Sequence, residues 1–84
     1  MSSYTKTRSD GCTVTGTLVD NKVNGTVTVA YPNGVIKSVE YYDMNIPIGV
    51  HEFWDDQGNL QHTITYNDEG QVIEQDGHPV DPTR

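Results

Sequence analysis

Turn-forming residues interrupt this chain about every ten positions, a spacing too short for an amphipathic helix and well suited to short strands. The interruptions have an internal order. Tyr31-Pro32-Asn33-Gly34 carries a proline that presets φ, an asparagine that tolerates turn geometry and a glycine free to take positive φ. Asp55-Asp56-Gln57-Gly58 repeats that placement twenty-four residues later. The same shift superposes Gly25 on Gly49, Ile36 on Leu60 and Tyr42 on Tyr66, so the skeleton Gly-x8-Gly-x-Ile/Leu-x5-Tyr occurs twice in succession. Val23-Asn24-Gly25 and Asn67-Asp68-Glu69-Gly70 read as further turn-containing segments of the series.

Between the turns the side chains alternate with a period of two and are rich in Val, Ile, Thr, Tyr, Phe and Trp, the types that suit a half-buried pleated surface. Strands are expected at 12–19, 24–31, 35–42, 48–54, 59–66 and 71–75, and no window carries apolar residues at helical spacing. The chain therefore reads as all-β. Its 84 residues fit one domain. At that size folding buries only about 60–65% of the chain's surface, so the core is modest. Residues 1–10 read as a polar arm, 11–77 as the hairpin repeat domain, and 78–84, with Pro79 and Pro82, as an irregular tail that cannot extend a central strand.

Gly25, Tyr31-Pro32-Asn33-Gly34, Val35-Ile36, Tyr41-Tyr42, Ile48-Gly49, Phe53-Trp54, Asp56-Gln57-Gly58-Asn59-Leu60 and Tyr66 together resemble the variant MORN repeats of bacterial proteins, several groups of which are antitoxin-like. The resemblance covers residues 25–70 and specifies a hairpin repeat far more sharply than a function. It implies a single-layer, curved antiparallel meander of tandem β-hairpins that serves as a platform for protein contact, with no catalytic residue to carry over. One segment departs from the pattern: Asp43-Met44-Asn45-Ile46-Pro47-Ile48 is more apolar than the Lys- and Gly-rich stretch such repeats carry there.

A four-residue loop at Asp55 to Gly58 would pair Trp54 with Asn59, Phe53 with Leu60 and His51 with His62. The equivalent loop at Tyr31 to Gly34 would pair Ala30 with Val35 and Val29 with Ile36. One face then collects Val27, Val29, Ile36, Tyr42, Phe53, Leu60, Ile64 and Tyr66. The other collects Ala30, Val35, Val39, Tyr41, Ile48, Val50 and Trp54. A single sheet cannot cover two partly apolar faces with its own chain, so a homodimer or a protein target is expected. Placing Tyr42 opposite Gly49 also brings Glu40, His51 and His62 onto neighbouring strands with Cβ atoms about 5 Å apart, within reach of one metal ion. The ordinary reading, hydrogen-bonded polar positions on a narrow sheet, is preferred, and no cofactor is expected.

The formal charge of −7 is unevenly spread. Residues 1–40 set Asp10, Asp20 and Glu40 against Lys6, Arg8, Lys22 and Lys37, whereas residues 41–84 set nine carboxylates against Arg84 alone. That field repels phosphate backbones and anionic lipid, which excludes direct nucleic-acid and membrane binding as expectations and favours a basic protein partner. Solubility alone is the competing explanation of such acidity. A lone cysteine, Cys12, makes no internal disulfide, and the opening residues lack a signal-peptide apolar run, so a reduced, cytoplasmic setting is expected. There is no phosphate-binding glycine loop, no GxSxG elbow and no zinc spacing, so enzyme activity is not expected.

The residues proposed for contact are the loop-tip carboxylates Asp55, Asp56, Asp68 and Glu69 and the aromatics Trp54, Tyr41 and Tyr42, with Trp54 read equally well as core. The expected function is a non-enzymatic inhibitor of antitoxin or immunity type that caps a basic surface on a toxin or nucleic-acid-binding complex, a phage-type inhibitor of host defence included. A self-associating structural β-repeat protein is the alternative.

Overall fold

The computed structural model describes residues 2–79. Ten strands form one open antiparallel sheet: β1 Ser2–Thr7, β2 Thr13–Val19, β3 Lys22–Val23, β4 Gly25–Ala30, β5 Ile36–Asp43, β6 Ile46–Pro47, β7 Gly49–Trp54, β8 Leu60–Tyr66, β9 Val72–Gln75 and β10 His78–Pro79. The order β1-β2-β4-β5-β7-β8-β9-β10 follows the chain, with β3 on β2 and β6 on β5. No helix is present among the described residues. The sheet is 36 by 35 Å in extent and 17 Å thick.

Two kinds of turn hold the strands. Arg8–Gly11, Tyr31–Gly34, Asp55–Gly58 and Asn67–Gly70 are four copies of one loop. In each, the glycine N–H donates to the carbonyl three residues back, at 3.0, 2.9, 3.2 and 3.1 Å, and the glycine has positive φ. A carboxylate or amide side chain caps each loop: Asp10 accepts from the Cys12 N–H, Asn33 from Val35, Asp55 from Gln57 and Asn59, and Asn67 from Glu69 and Gln71. The other kind is a two-residue turn with both φ values positive, at Asp20-Asn21, Met44-Asn45 and Asp76-Gly77. The segment Asp43 to Ile48 is therefore a tight turn at Met44-Asn45 followed by the short strand β6, which pairs back on β5.

The twenty-four-residue skeleton has a structural meaning. Gly25 lies opposite Tyr42 and Gly49 opposite Tyr66, and both glycines take positive φ with open space where a Cβ would stand, so the repeat marks a backbone conformation at the start of β4 and of β7. Tyr4 opposite Gly16 is a pair of another kind, in which the ring covers the glycine and a Cβ on Gly16 would meet it at 2.7–2.8 Å.

Residues 2–7, expected in a polar arm, form β1, in unbroken register with β2 from Ser2↔Leu18 to Thr7↔Thr13. Arg8-Ser9-Asp10-Gly11 makes the hairpin that the sequence reading did not assign. At the other end His78 and Pro79 pair with Gln75 and Glu74, and residues 80–84 of the expected tail lie outside the described residues.

Bulges alter the expected register. Shifts between Val29 and Ala30, Phe53 and Trp54, and Thr65 and Tyr66 each insert a residue. Ala30 thus pairs with Ile36 instead of Val35, and Trp54 with Leu60 instead of Asn59; Phe53 faces His62 and His51 faces Ile64. Val27, Val29, Tyr42, Phe53, Ile64 and Tyr66 share a face as expected, but Ile36 and Leu60 leave it to pair with Ala30 and Trp54, and both are exposed. Buried Val27, Val29, Ser38 and His51 all lie on that shared face, called the inner face below. The outer face carries Thr15, Thr28, Val39, Glu52 and Thr63 in one row across the sheet.

Candidate protein-binding surface

Because the strands are laid down in chain order, the charge asymmetry of the sequence becomes an asymmetry in space. From Tyr41 to Pro79 the chain carries Asp43, Glu52, Asp55, Asp56, Asp68, Glu69, Glu74 and Asp76 and not one Lys or Arg. Half of the sheet is thus uniformly acidic, and the β1 side holds Lys6, Arg8, Lys22 and Lys37.

The four loop carboxylates singled out by sequence differ in role and place. Asp55 and Asp56 sit in the β7–β8 loop, whereas Asp68 and Glu69 sit in the β8–β9 loop at the opposite end of the strands. Asp55 is consumed by its own turn: Oδ1 accepts from the Gln57 and Asn59 N–H groups at 2.9 Å, and Oδ2 from the side chains of Asn59 and Gln61 at 3.3 and 3.1 Å. The Asn59 backbone hydrogen bond is the largest influence holding its carboxyl below the usual range. Asp56, Asp68 and Glu69 are exposed, and among the described residues their carboxylates enter no hydrogen bond or ion pair. Asp76, unremarked in the sequence, also builds structure. It accepts from Thr63 N–H at 2.9 Å and lies 3.3 Å from His62 Nδ1, and the Thr63 bond first and His62 next lower its pKa.

The aromatics divide between the faces. Tyr41 is on the outer face, 39% exposed, and shares it with Val50, 46% exposed, on the next strand. Tyr42 is on the inner face, its hydroxyl donating to Glu40 Oε1 at 2.6 Å while Ser38 Oγ donates to Oε2 at 2.8 Å. Burial first, then the Glu40 hydrogen bond, raise the Tyr42 pKa far above the ordinary phenol value. Tyr42 is thereby committed to the interior. Trp54 is half-buried, and its carbonyl accepts from the Tyr31 hydroxyl at 2.8 Å, which ties adjacent loops together with the Asn33 to Asp56 carbonyl bond at 2.9 Å.

The suggested Glu40, His51 and His62 cluster does not form. The bulge after Phe53 puts His62 opposite Phe53, where it meets Asp76, and the Glu40 carboxylate turns along its own strand to Ser38 and Tyr42. Among the described residues no group of three His, Cys, Asp or Glu side chains is placed to hold a metal ion.

His51, 2% exposed, is instead a structural plug. Its Nε2 lies 2.9 Å from the Tyr41 carbonyl oxygen, 3.2 Å from that of Ile48 and 3.2 Å from Tyr41 N. The carbonyls can only accept and the Tyr41 N–H can only donate, so the ring's tautomer sets which of them Nε2 bonds. The ring fills the gap opened where the β5–β7 ladder stops at Val39↔Glu52, and the Tyr42 and Tyr66 rings flank it at 5.5 and 4.6 Å. The β2–β4 ladder stops at the corresponding Thr15↔Thr28, and there the apolar Val27 takes the place of His51.

The exposed Tyr41 and Val50 share the outer face with Glu52 and Glu74; the loop of Asp68 and Glu69 lies at their end of the strands and the loop of Asp56 at the other end. Comparison of the chain with family models, with curated proteins and with solved structures finds no match. Among the described residues no helix is long and apolar enough to cross a membrane.

Proposed function

We propose that this chain is a non-enzymatic protein-binding module, an inhibitor of antitoxin or immunity type acting in the cytoplasm, whose acidic half caps a basic surface on a toxin or nucleic-acid-binding complex. The observation that carries this reading is the segregation of charge: eight carboxylates without a counter-cation from Tyr41 to Pro79, on consecutive strands. Such a field draws in a basic partner and repels phosphate. An outer face on which the exposed Tyr41 and Val50 stand with Glu52 and Glu74 combines the apolar and acidic groups of a protein interface, and a face 36 by 35 Å in extent exceeds the roughly 800 Å² that a standard interface takes from each partner. Membership of the variant MORN repeat family belongs to the same proposal and is supported by the four-copy loop and the glycine–tyrosine pairs.

The test is a pull-down with the tagged protein from its native lysate at low and high salt, beside a variant carrying Asp56→Lys, Asp68→Lys and Glu69→Lys. Asp55 is left alone because it builds its turn. The unmodified protein should retain a basic protein that leaves at high salt, and the folded variant should retain none. Equal capture by the two would remove the acidic surface from the mechanism.

A further inference from the structure

The two edges of the sheet are built differently. One ends in β10, which is two residues long and contains Pro79, a residue with no N–H to offer, and it lies beside Glu74 and Asp76. Short length, proline and charge are devices that keep an edge from pairing. The opposite edge, β1, has six residues without proline, glycine or bulge, and among the described residues nothing pairs with its outer side.

The direction of its backbone groups follows from one bond. Arg8 N–H donates to the Cys12 carbonyl at 2.7 Å, continuing the β1–β2 register, so Arg8 turns its backbone toward β2. Antiparallel strands alternate, so Ser2, Tyr4 and Lys6 also face inward, and the N–H and C=O groups of Ser3, Thr5 and Thr7 point out from the edge.

We propose that the outer edge of β1 binds β1 of a second copy of this chain, antiparallel and centred on Thr5, joining two sheets into one around a two-fold axis. Outward groups must meet outward groups, which restricts the register to odd-numbered residues facing odd-numbered residues. Centring on Thr5 places Ser3 opposite Thr7 of the second copy and Thr5 opposite its own equivalent, so every outward backbone group is paired; a slip in either direction leaves one of the three residues out. The side chains agree with this register. Hydroxyl residues oppose hydroxyl residues on the outer face, and on the inner face Lys6 comes opposite Tyr4, a cation near an aromatic ring rather than near its own charge.

Charge argues for a second copy at this edge. A molecule of net charge −7 resists self-association wherever its acidic halves approach. Pairing through β1 sends those halves to the far ends of the joined sheet. β2 and β4 stand between β1 and β5, and with neighbouring strands about 4.8 Å apart the acidic halves of the two copies are separated by several Debye lengths of about 8 Å. The product would be bivalent, with an acidic surface at each end.

The experiment is sedimentation of the purified protein across a concentration series, with amide hydrogen exchange read residue by residue. The mass should rise from monomer to dimer as the Ser3, Thr5 and Thr7 amides become protected. Thr5→Pro removes an outward N–H and leaves the bonds from Tyr4 and Lys6 to β2 in place, so it should weaken the dimer by at least about tenfold while the Tyr4 and Lys6 amides stay protected. A monomer at every concentration up to about 1 mM overturns the proposal. So does a dimer whose Ser3, Thr5 and Thr7 amides exchange freely, an outcome that would place the contact on another surface. The exchange measurement on the unmodified chain decides the matter even where Thr5→Pro fails to fold. Because it uses no foreign partner, its result is independent of the inhibitor reading.

Discussion

At the scale of single residues, two histidines of similar sequence setting have opposite roles. His51 is buried with its Nε2 against the backbone of Tyr41 and Ile48, whereas the His62 side chain is 63% exposed and touches Asp76. His51→Ala removes the ring's hydrogen bonding to the Tyr41 and Ile48 backbone and leaves a void among tyrosine rings, a loss of about 2–4 kcal/mol. His62→Ala should stay within about 0.5 kcal/mol. Urea denaturation of both variants checks the contrast, and equal effects would mean that His51 is not the plug described. The loop carboxylates set the response to acid. Asp10, Asp55 and Asp76 are each lowered first by a backbone hydrogen bond, from Cys12, Asn59 and Thr63 respectively. A depressed folded-state pKa adds stability that is present above the unfolded value of 3.8 and is lost as pH falls through the lower folded value. The thermal midpoint should therefore drop below about pH 4, and Asp55→Asn, which keeps an acceptor but has no proton to gain, should flatten that drop. An acid limb of unchanged steepness in Asp55→Asn would show that the Asp55 carboxylate does not contribute.

At the scale of elements, the spacing of turns was enough to locate β2, β4, β5, β7, β8 and β9 to within a residue or so of their ends, because a glycine or an Asx cap marks nearly every reversal. What the sequence concealed was the bulges. A bulge costs one residue and carries no residue type that distinguishes it from a regular strand position, so Ile36 and Leu60 were assigned to the wrong face and His51 to the wrong partner. The Met44-Asn45 turn was hidden for a related reason, since methionine seldom takes positive φ. β1 was missed because Ser2 to Thr7 shows no apolar alternation, although Arg8-Ser9-Asp10-Gly11 repeats the pattern of Tyr31 to Gly34 and could have revealed the hairpin. Tyr4 is what seats this strand, lying over Gly16. Gly16→Ala should displace the Tyr4 ring, because the new methyl occupies its place, and should loosen β1 while β4 to β9 stay intact. The readout is amide exchange, expected to quicken at the inward-facing Tyr4 and Lys6 and not at Phe53 or Ile64. Uniform loss of protection across the sheet would contradict that division.

At the scale of the molecule, an acidic half that carries no Lys or Arg from Tyr41 to Pro79 is a structural cost. Asp56, Asp68 and Glu69 gain no hydrogen bond or ion pair among the described residues and repel one another and Asp43, Glu52, Glu74 and Asp76 through water. Added salt should therefore stabilise this protein. Raising ionic strength shortens the Debye length from about 30 Å at 0.01 M to about 8 Å at 0.15 M, which screens charges at opposite ends of one strand while leaving hydrogen bonds within each turn intact. Asp68→Lys removes repulsion and adds attraction, so its melting temperature should exceed that of the unmodified chain at 0.01 M, with the gain shrinking as salt is added. Lys37→Glu, on the other half of the sheet, should lower it instead. If the charge segregation serves to capture a basic partner, the same Asp68→Lys substitution must act with opposite signs on folding and on binding, raising the first and weakening the second. A variant that melts higher and still captures the partner at low salt would leave the loop at Asp68 outside the interface and confine the contact to the Asp56 end and the outer face around Tyr41.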